Sequence, residues 1–139
     1  MNDKINKTAL TGLHNTKWID SENESIVKEI LEMKGYYVIS THSLDDMLSK
    51  MGLSQESQPE LLPGVGYDLY IMDLNLDNRG DDSCEPALKI YSHIKDDIKH
   101  KKAKFIGISG NPITLENAEK NGIFCINLCY IFNTLKDYI

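Results

Sequence analysis

Short apolar runs along this chain alternate with stretches in which apolar positions recur three and four residues apart. That alternation marks strands interleaved with amphipathic helices. Tyr36-Tyr37-Val38-Ile39-Ser40 is β-branched and aromatic and reads as a strand. Within Tyr67–Asp73, the run Leu69-Tyr70-Ile71-Met72 is apolar without alternation, as expected of a parallel strand covered by helices on both faces. Lys104–Ile108 has the same character, and Ile123–Ile126 is the last such run. A shorter candidate, Thr16-Lys17-Trp18-Ile19, ends at Asp20. Residues 1–15 before it are polar and aperiodic, an N-terminal segment to which the pattern assigns no element.

The helical stretches carry their own start and stop signals. Ile26, Val27, Ile30 and Leu31 follow the cap-rich cluster Asp20-Ser21-Glu22-Asn23, and Gly35 ends the run. Ser43 with Asp46 three residues on resembles a capping box for a short helix carrying Leu44, Met47, Leu48 and Met51. Residues 52–66, with two prolines and three glycines, read as a long surface loop, and Asp77–Asp82 as an acidic one. Leu88, Tyr91, Ile94 and Ile98 share one face of the next helix, which tolerates Pro86 in its first turn. Thr114 is placed to cap a short helix ended by Asn121-Gly122, and Ile131, Leu135 and Tyr138 mark a final helix. Five strands alternating with five helices predict an α/β fold. The expected form is a flavodoxin-like, doubly wound parallel sheet of five strands in the order 2-1-3-4-5, with helices on both faces. Ligands of such sheets sit outside the carboxyl ends of the central strands, where Asp20, Asp73 and Ser109 are expected.

Composition narrows the picture. At 139 residues the chain has room for one domain, and 41% hydrophobic with 26% charged residues is a globular balance. Acids outnumber bases 21 to 15, for a net charge of -6, which disfavours nucleic acid and anionic membranes as partners. The basic run Lys99-His100-Lys101-Lys102 reads as a solvated helix end. No apolar stretch approaches the roughly 20 residues that span a bilayer, and the N-terminus lacks a signal-peptide core, so a cytoplasmic location is expected. Cys84, Cys125 and Cys129 are odd in number and lack C-x-x-C spacing, which suits small apolar residues in a reducing compartment.

Three segments together resemble response-regulator receiver domains of the CheY-like family. Asp68-Leu69-Tyr70-Ile71-Met72-Asp73-Leu74-Asn75-Leu76 resembles the third strand and phosphoacceptor loop, and Trp18-Ile19-Asp20-Ser21-Glu22 the acidic segment after the first strand. Ile106-Gly107-Ile108-Ser109-Gly110 resembles the fourth strand with its switch hydroxyl. The resemblance spans roughly residues 16–139 and implies a stand-alone receiver of a two-component phosphorelay. Asp73 would accept a phosphoryl group, Ser109 would donate to a phosphoryl oxygen, and Phe124 would be the aromatic that reorients. Mg²⁺ would sit among Asp73, an acid at Asp20 or Glu22, and the backbone carbonyl of Asn75, because attack of one anion on another needs neutralisation. The implied partners are a histidine kinase or phosphotransfer protein and a downstream protein, with a homodimer as a further option.

The chain also departs from that family. Ser21 stands where a second acid is usual, and Asn127 where the family carries lysine. Keeping the helix register instead puts Trp18 and Ile19 at the acid positions. These departures define the alternative: a pseudo-receiver that binds proteins without phosphorylation. Among enzymes, Asp73-Leu74-Asn75-Leu76-Asp77 is superficially similar to the nucleophile loop of haloacid-dehalogenase-like phosphatases. That chemistry needs an acid two residues after the nucleophile, where Asn75 stands, so a signalling domain is expected rather than a turnover enzyme. The loop Asp77–Asp82 lacks the ligand spacing of an EF-hand.

Overall fold

A computed structural model describes residues 7–13, 20–52, 67–76, 84–100 and 103–139, without the side chains at 20–24, 129 and 132. The described elements are β1 (Lys7–Gly12), α1 (Asp20–Met33), β2 (Tyr36–Thr41), α2 (Leu44–Lys50), β3 (Leu69–Asp73), α3 (Glu85–Lys99), β4 (Lys104–Ser109), α4 (Pro112–Lys120), β5 (Cys125–Asn127) and α5 (Ile131–Tyr138). A single 3₁₀ turn, Leu128–Tyr130, joins β5 to α5. The strands form one parallel sheet in the order β2-β1-β3-β4-β5, the flavodoxin-like winding expected from the alternation.

Two apolar layers hold the sheet. On one face Met47 and Leu48 of α2, Ala87, Ile90 and Ile94 of α3 and Ala118 of α4 pack against Leu10, Tyr70, Met72 and Phe105. On the other, Val27, Ile30 and Leu31 of α1 with Ile131 and Leu135 of α5 cover Ala9, Leu69, Ile71, Ile106 and Ile108. Alternate residues of β3 and β4 thus serve opposite layers, which is why neither strand alternates in polarity. Among the described residues no helix is long and apolar enough to cross a membrane.

The first strand is the main correction. It is Lys7–Gly12, inside the segment that the apolar pattern leaves unassigned, and Asp20 opens α1 instead of closing a strand. The expected strand at Thr16–Ile19, with Trp18, lies outside the described residues. β1 is central, paired from Lys7↔Tyr36 to Gly12↔Thr41 on one side and from Ala9↔Leu69 to Gly12↔Met72 on the other. Its small residues follow from that crowding. A Cβ on Gly12 would overlap the Met47 sulfur and come 3.0 Å from Leu76 Cδ2, so the Met47 side chain of α2 would have to repack.

Most helix ends follow their sequence signals. Gly35, with φ of 91°, takes the left-handed conformation behind α1. The Asp46 N–H donates to Ser43 Oγ at 3.0 Å, capping α2. For α4 the cap is Asn111, whose Oδ1 accepts the Ile113 N–H at 2.9 Å, rather than Thr114. Pro112 at the first helical position fixes the start there and leaves Thr114 fully buried inside the first turn.

Candidate functional site

The carboxyl edge of the sheet is built from five strand ends: Gly12, Thr41, Asp73, Ser109 and Asn127. Asp73 alone among them is charged. It is half-buried and lies beside Ile108 of β4, while Ser109 pairs with Asn127 of β5. The turn after Asp73 is drawn into the sheet. The Leu74 N–H donates to the Ile108 carbonyl at 3.0 Å, the Leu76 N–H to the Asp73 carbonyl at 3.2 Å, and both leucines are fully buried. Leu74 fits because β4 carries Gly107 at the crossing, where a Cβ would overlap Leu74 Cδ2.

Asn75 is a tie between elements. Its Oδ1 accepts the Cys84 N–H at 2.8 Å, and its Nδ2 donates to the Thr114 hydroxyl at 3.3 Å. Cys84, fully buried with φ of 53°, is the cap residue of α3. One amide therefore connects the end of β3 to the starts of α3 and α4. Ser109 Oγ accepts the Asn111 N–H at 3.0 Å, so the candidate switch hydroxyl also shapes the turn into α4.

The structure brings Asp73, Asn75 and Ser109 to one edge. Asp20 and Glu22 belong to the first turn of α1, and their side chains lie outside the described residues. Directly after β1 comes Leu13, buried, with its N–H on the Thr41 carbonyl at 3.2 Å, followed in sequence by His14 and Asn15. β1 itself carries no carboxylate. Among the described residues no three His, Cys, Asp or Glu side chains form a group able to hold a metal ion. The Asn75 side-chain oxygen is taken by the Cys84 N–H, so the Asn75 donor expected for Mg²⁺ is its backbone carbonyl, beside Asp73.

Phe124 lies just before β5, three residues ahead of Asn127 and so about 10 Å along the chain from it. Its carbonyl accepts the Gly107 N–H at 2.9 Å, and its ring stacks on Tyr138 of α5 at 4.2 Å and 11°. The ring is engaged by α5, whereas the Ser109 hydroxyl is engaged at the start of α4.

Two polar positions carried no usable sequence signal. Thr11 is 1% exposed, and among the described residues its hydroxyl has no hydrogen-bond partner. Thr41, fully buried, instead donates its hydroxyl to the Thr11 carbonyl at 2.6 Å. Of the cysteines with described side chains, Cys84 is buried and Cys125 half-buried. Burial, then Glu119 and Cys84, push the Cys125 thiol up to about 12, so it stays neutral at physiological pH.

No family model and no curated protein matches the sequence. Two solved structures share its fold. The chemotaxis response regulator CheY4 of Vibrio cholerae superposes with a TM-score of 0.56 at 15% identity, over 96% of this chain and 98% of that one. A de novo designed Rossmann 2x3 protein superposes with a TM-score of 0.58 at 13% identity, over 96% and 89%. The chain therefore has a CheY-like receiver fold. A designed protein fits equally well, so the likeness speaks for architecture and not for a reaction.

Proposed function

We propose that this chain is a receiver-fold protein-interaction module whose state is not set by a phosphoryl group on Asp73. The observation that carries this reading is the end of β1. Phosphoryl transfer to a carboxylate brings anions together, and neutralising them takes a cation held by fixed acids. Here β1, the neighbour of β3, ends in Gly12 before buried Leu13, and Asn127 at the end of β5 brings no positive charge. The exposed apolar side chains at the same edge suit protein contact: Ile113 at the start of α4 is 55% exposed and Tyr130 before α5 is 66% exposed.

A second reading rests on a specific observation. Asp73 ends the middle strand of five, next to the strand that Ser109 ends, the layout that a phosphoacceptor with a switch hydroxyl would need. In that reading a histidine kinase or phosphotransfer protein supplies the phosphoryl group, and Asp20 or Glu22 completes a Mg²⁺ site. Intact mass after incubation with acetyl phosphate and Mg²⁺ separates the two. The expected result is no phosphoryl adduct. An adduct that disappears in Asp73→Asn would overturn the proposal in favour of the phosphoacceptor.

A further inference from the structure

At the opposite, amino-terminal edge of the sheet lies a groove of about 280 Å³. It exists because β5 is short. The β4–β5 register begins only at Gly107↔Cys125, so Lys104 and Phe105, paired with β3 on one side, have no strand on the other. Strand alternation orients the backbone there. The Lys104 N–H donates toward β3, to the Asp68 carbonyl at 3.0 Å, and the Gly107 N–H donates toward β5. Phe105 has the parity of Gly107, so its N–H turns to the side that β5 has not yet reached.

The groove wall is aromatic. Phe124 and Tyr138 stack at 4.2 Å and remain 41% and 37% exposed, while Tyr91 meets Phe105 edge-on at 5.6 Å with Ile98 nearby. Among the described residues, Lys104 is the one charged residue in the lining. Its ammonium lies 5.2 Å over the Tyr138 ring and 3.5 Å from the Tyr138 carbonyl. A cation held over an aromatic wall, in a protein of net charge -6, is a local inversion of the molecule's electrostatics.

We infer that this groove binds a small planar aromatic carboxylate. The ring lies against the Phe124–Tyr138 wall, and the carboxylate pairs with Lys104. A flat apolar body complements the exposed ring surfaces, and the negative group complements the one lining charge. The volume admits one such ligand and not a folded segment of a partner. This inference is independent of what happens at Asp73, which lies at the other edge.

The probe is phenylacetate, with phenylacetamide as its neutral match, titrated into the full chain and followed by backbone amide NMR shifts. Phenylacetate should perturb the amides of Lys104, Phe105, Phe124 and Tyr138 saturably and should bind about five- to tenfold more tightly than the amide. Lys104→Met, at an exposed position, should abolish that preference while leaving the rest of the spectrum unchanged. Phe124→Ala should weaken both probes. Equal binding of acid and amide, perturbation centred elsewhere, or no saturable perturbation would each overturn the assignment.

Discussion

The Asn75 side chain donates to the Thr114 hydroxyl across 3.3 Å, joining the loop after β3 to the first turn of α4. Its other side-chain atom takes the Cys84 N–H at 2.8 Å, so the same residue also fixes the start of α3. Asn75→Ala removes both contacts, one of them to the fully buried Thr114. The expected loss is about 1–3 kcal/mol in urea unfolding. Asn75→Asp keeps an acceptor for the Cys84 N–H, and the Thr114 hydroxyl can turn to donate. Its loss should be the smaller of the two.

Gly107 and Leu74 share one space. A Cβ at position 107 also comes 3.1 Å from Leu74 Cγ and 3.4 Å from Ile123 Cγ2, so Gly107→Ala overpacks the crossing by ~1–3 kcal/mol. Leu74→Ala alone costs ~2–5 kcal/mol by leaving a cavity. Because the added methyl fills part of that cavity, the double variant should lose clearly less than the sum. Denaturation of all four proteins of the cycle measures the coupling, and strict additivity would contradict the packing described.

The buried threonines of neighbouring strands should respond in opposite ways. Thr11→Val removes a hydroxyl without a partner among the described residues and keeps the shape. Stability should be unchanged or raised by ~1 kcal/mol. Thr41→Val removes the donor to the Thr11 carbonyl at 2.6 Å and should cost ~1–2 kcal/mol. Thermal melts of the pair make the comparison.

Cys125 should give the fold an alkaline weakness. Its thiol rises from the ordinary 9.0 to about 12, mainly through burial. Above pH 9.0 the unfolded chain loses this proton while the native chain keeps it, so stability falls as pH rises through that window. Burial also raises the hydroxyls of Tyr36 and Tyr70, which add to the same trend. Cys125→Ala should therefore flatten, but not remove, the decline of the urea midpoint above pH 9.0.

Much of the site was legible because strand-end chemistry is local. Asp73 follows four apolar residues, and Ser109 follows a strand closed by Gly110-Asn111-Pro112, so each was readable as a polar group ending a buried run. Phe124 was legible as an aromatic beside the last strand, but not its stacking on Tyr138, fourteen positions on. The role of Asn75 was not legible at all. Hydrogen bonds to Cys84 and Thr114, nine and 39 positions away, exist only once β3, α3 and α4 are assembled.

The sequence by itself determined the β/α alternation and the parallel sheet it implies, because helical and strand periodicities and the hand of the crossovers are properties of short segments. Tertiary structure alone decided which segment became β1. Lys7–Gly12 holds only Ala9 and Leu10 as apolar residues, and Thr8, Thr11 and Gly12 hide it from any hydrophobic pattern. What selects it is space. A central strand lies between two helical layers and two neighbouring strands, and Gly12 leaves the volume that the Met47 side chain occupies. That choice set the end of β1 at Gly12, directly before buried Leu13.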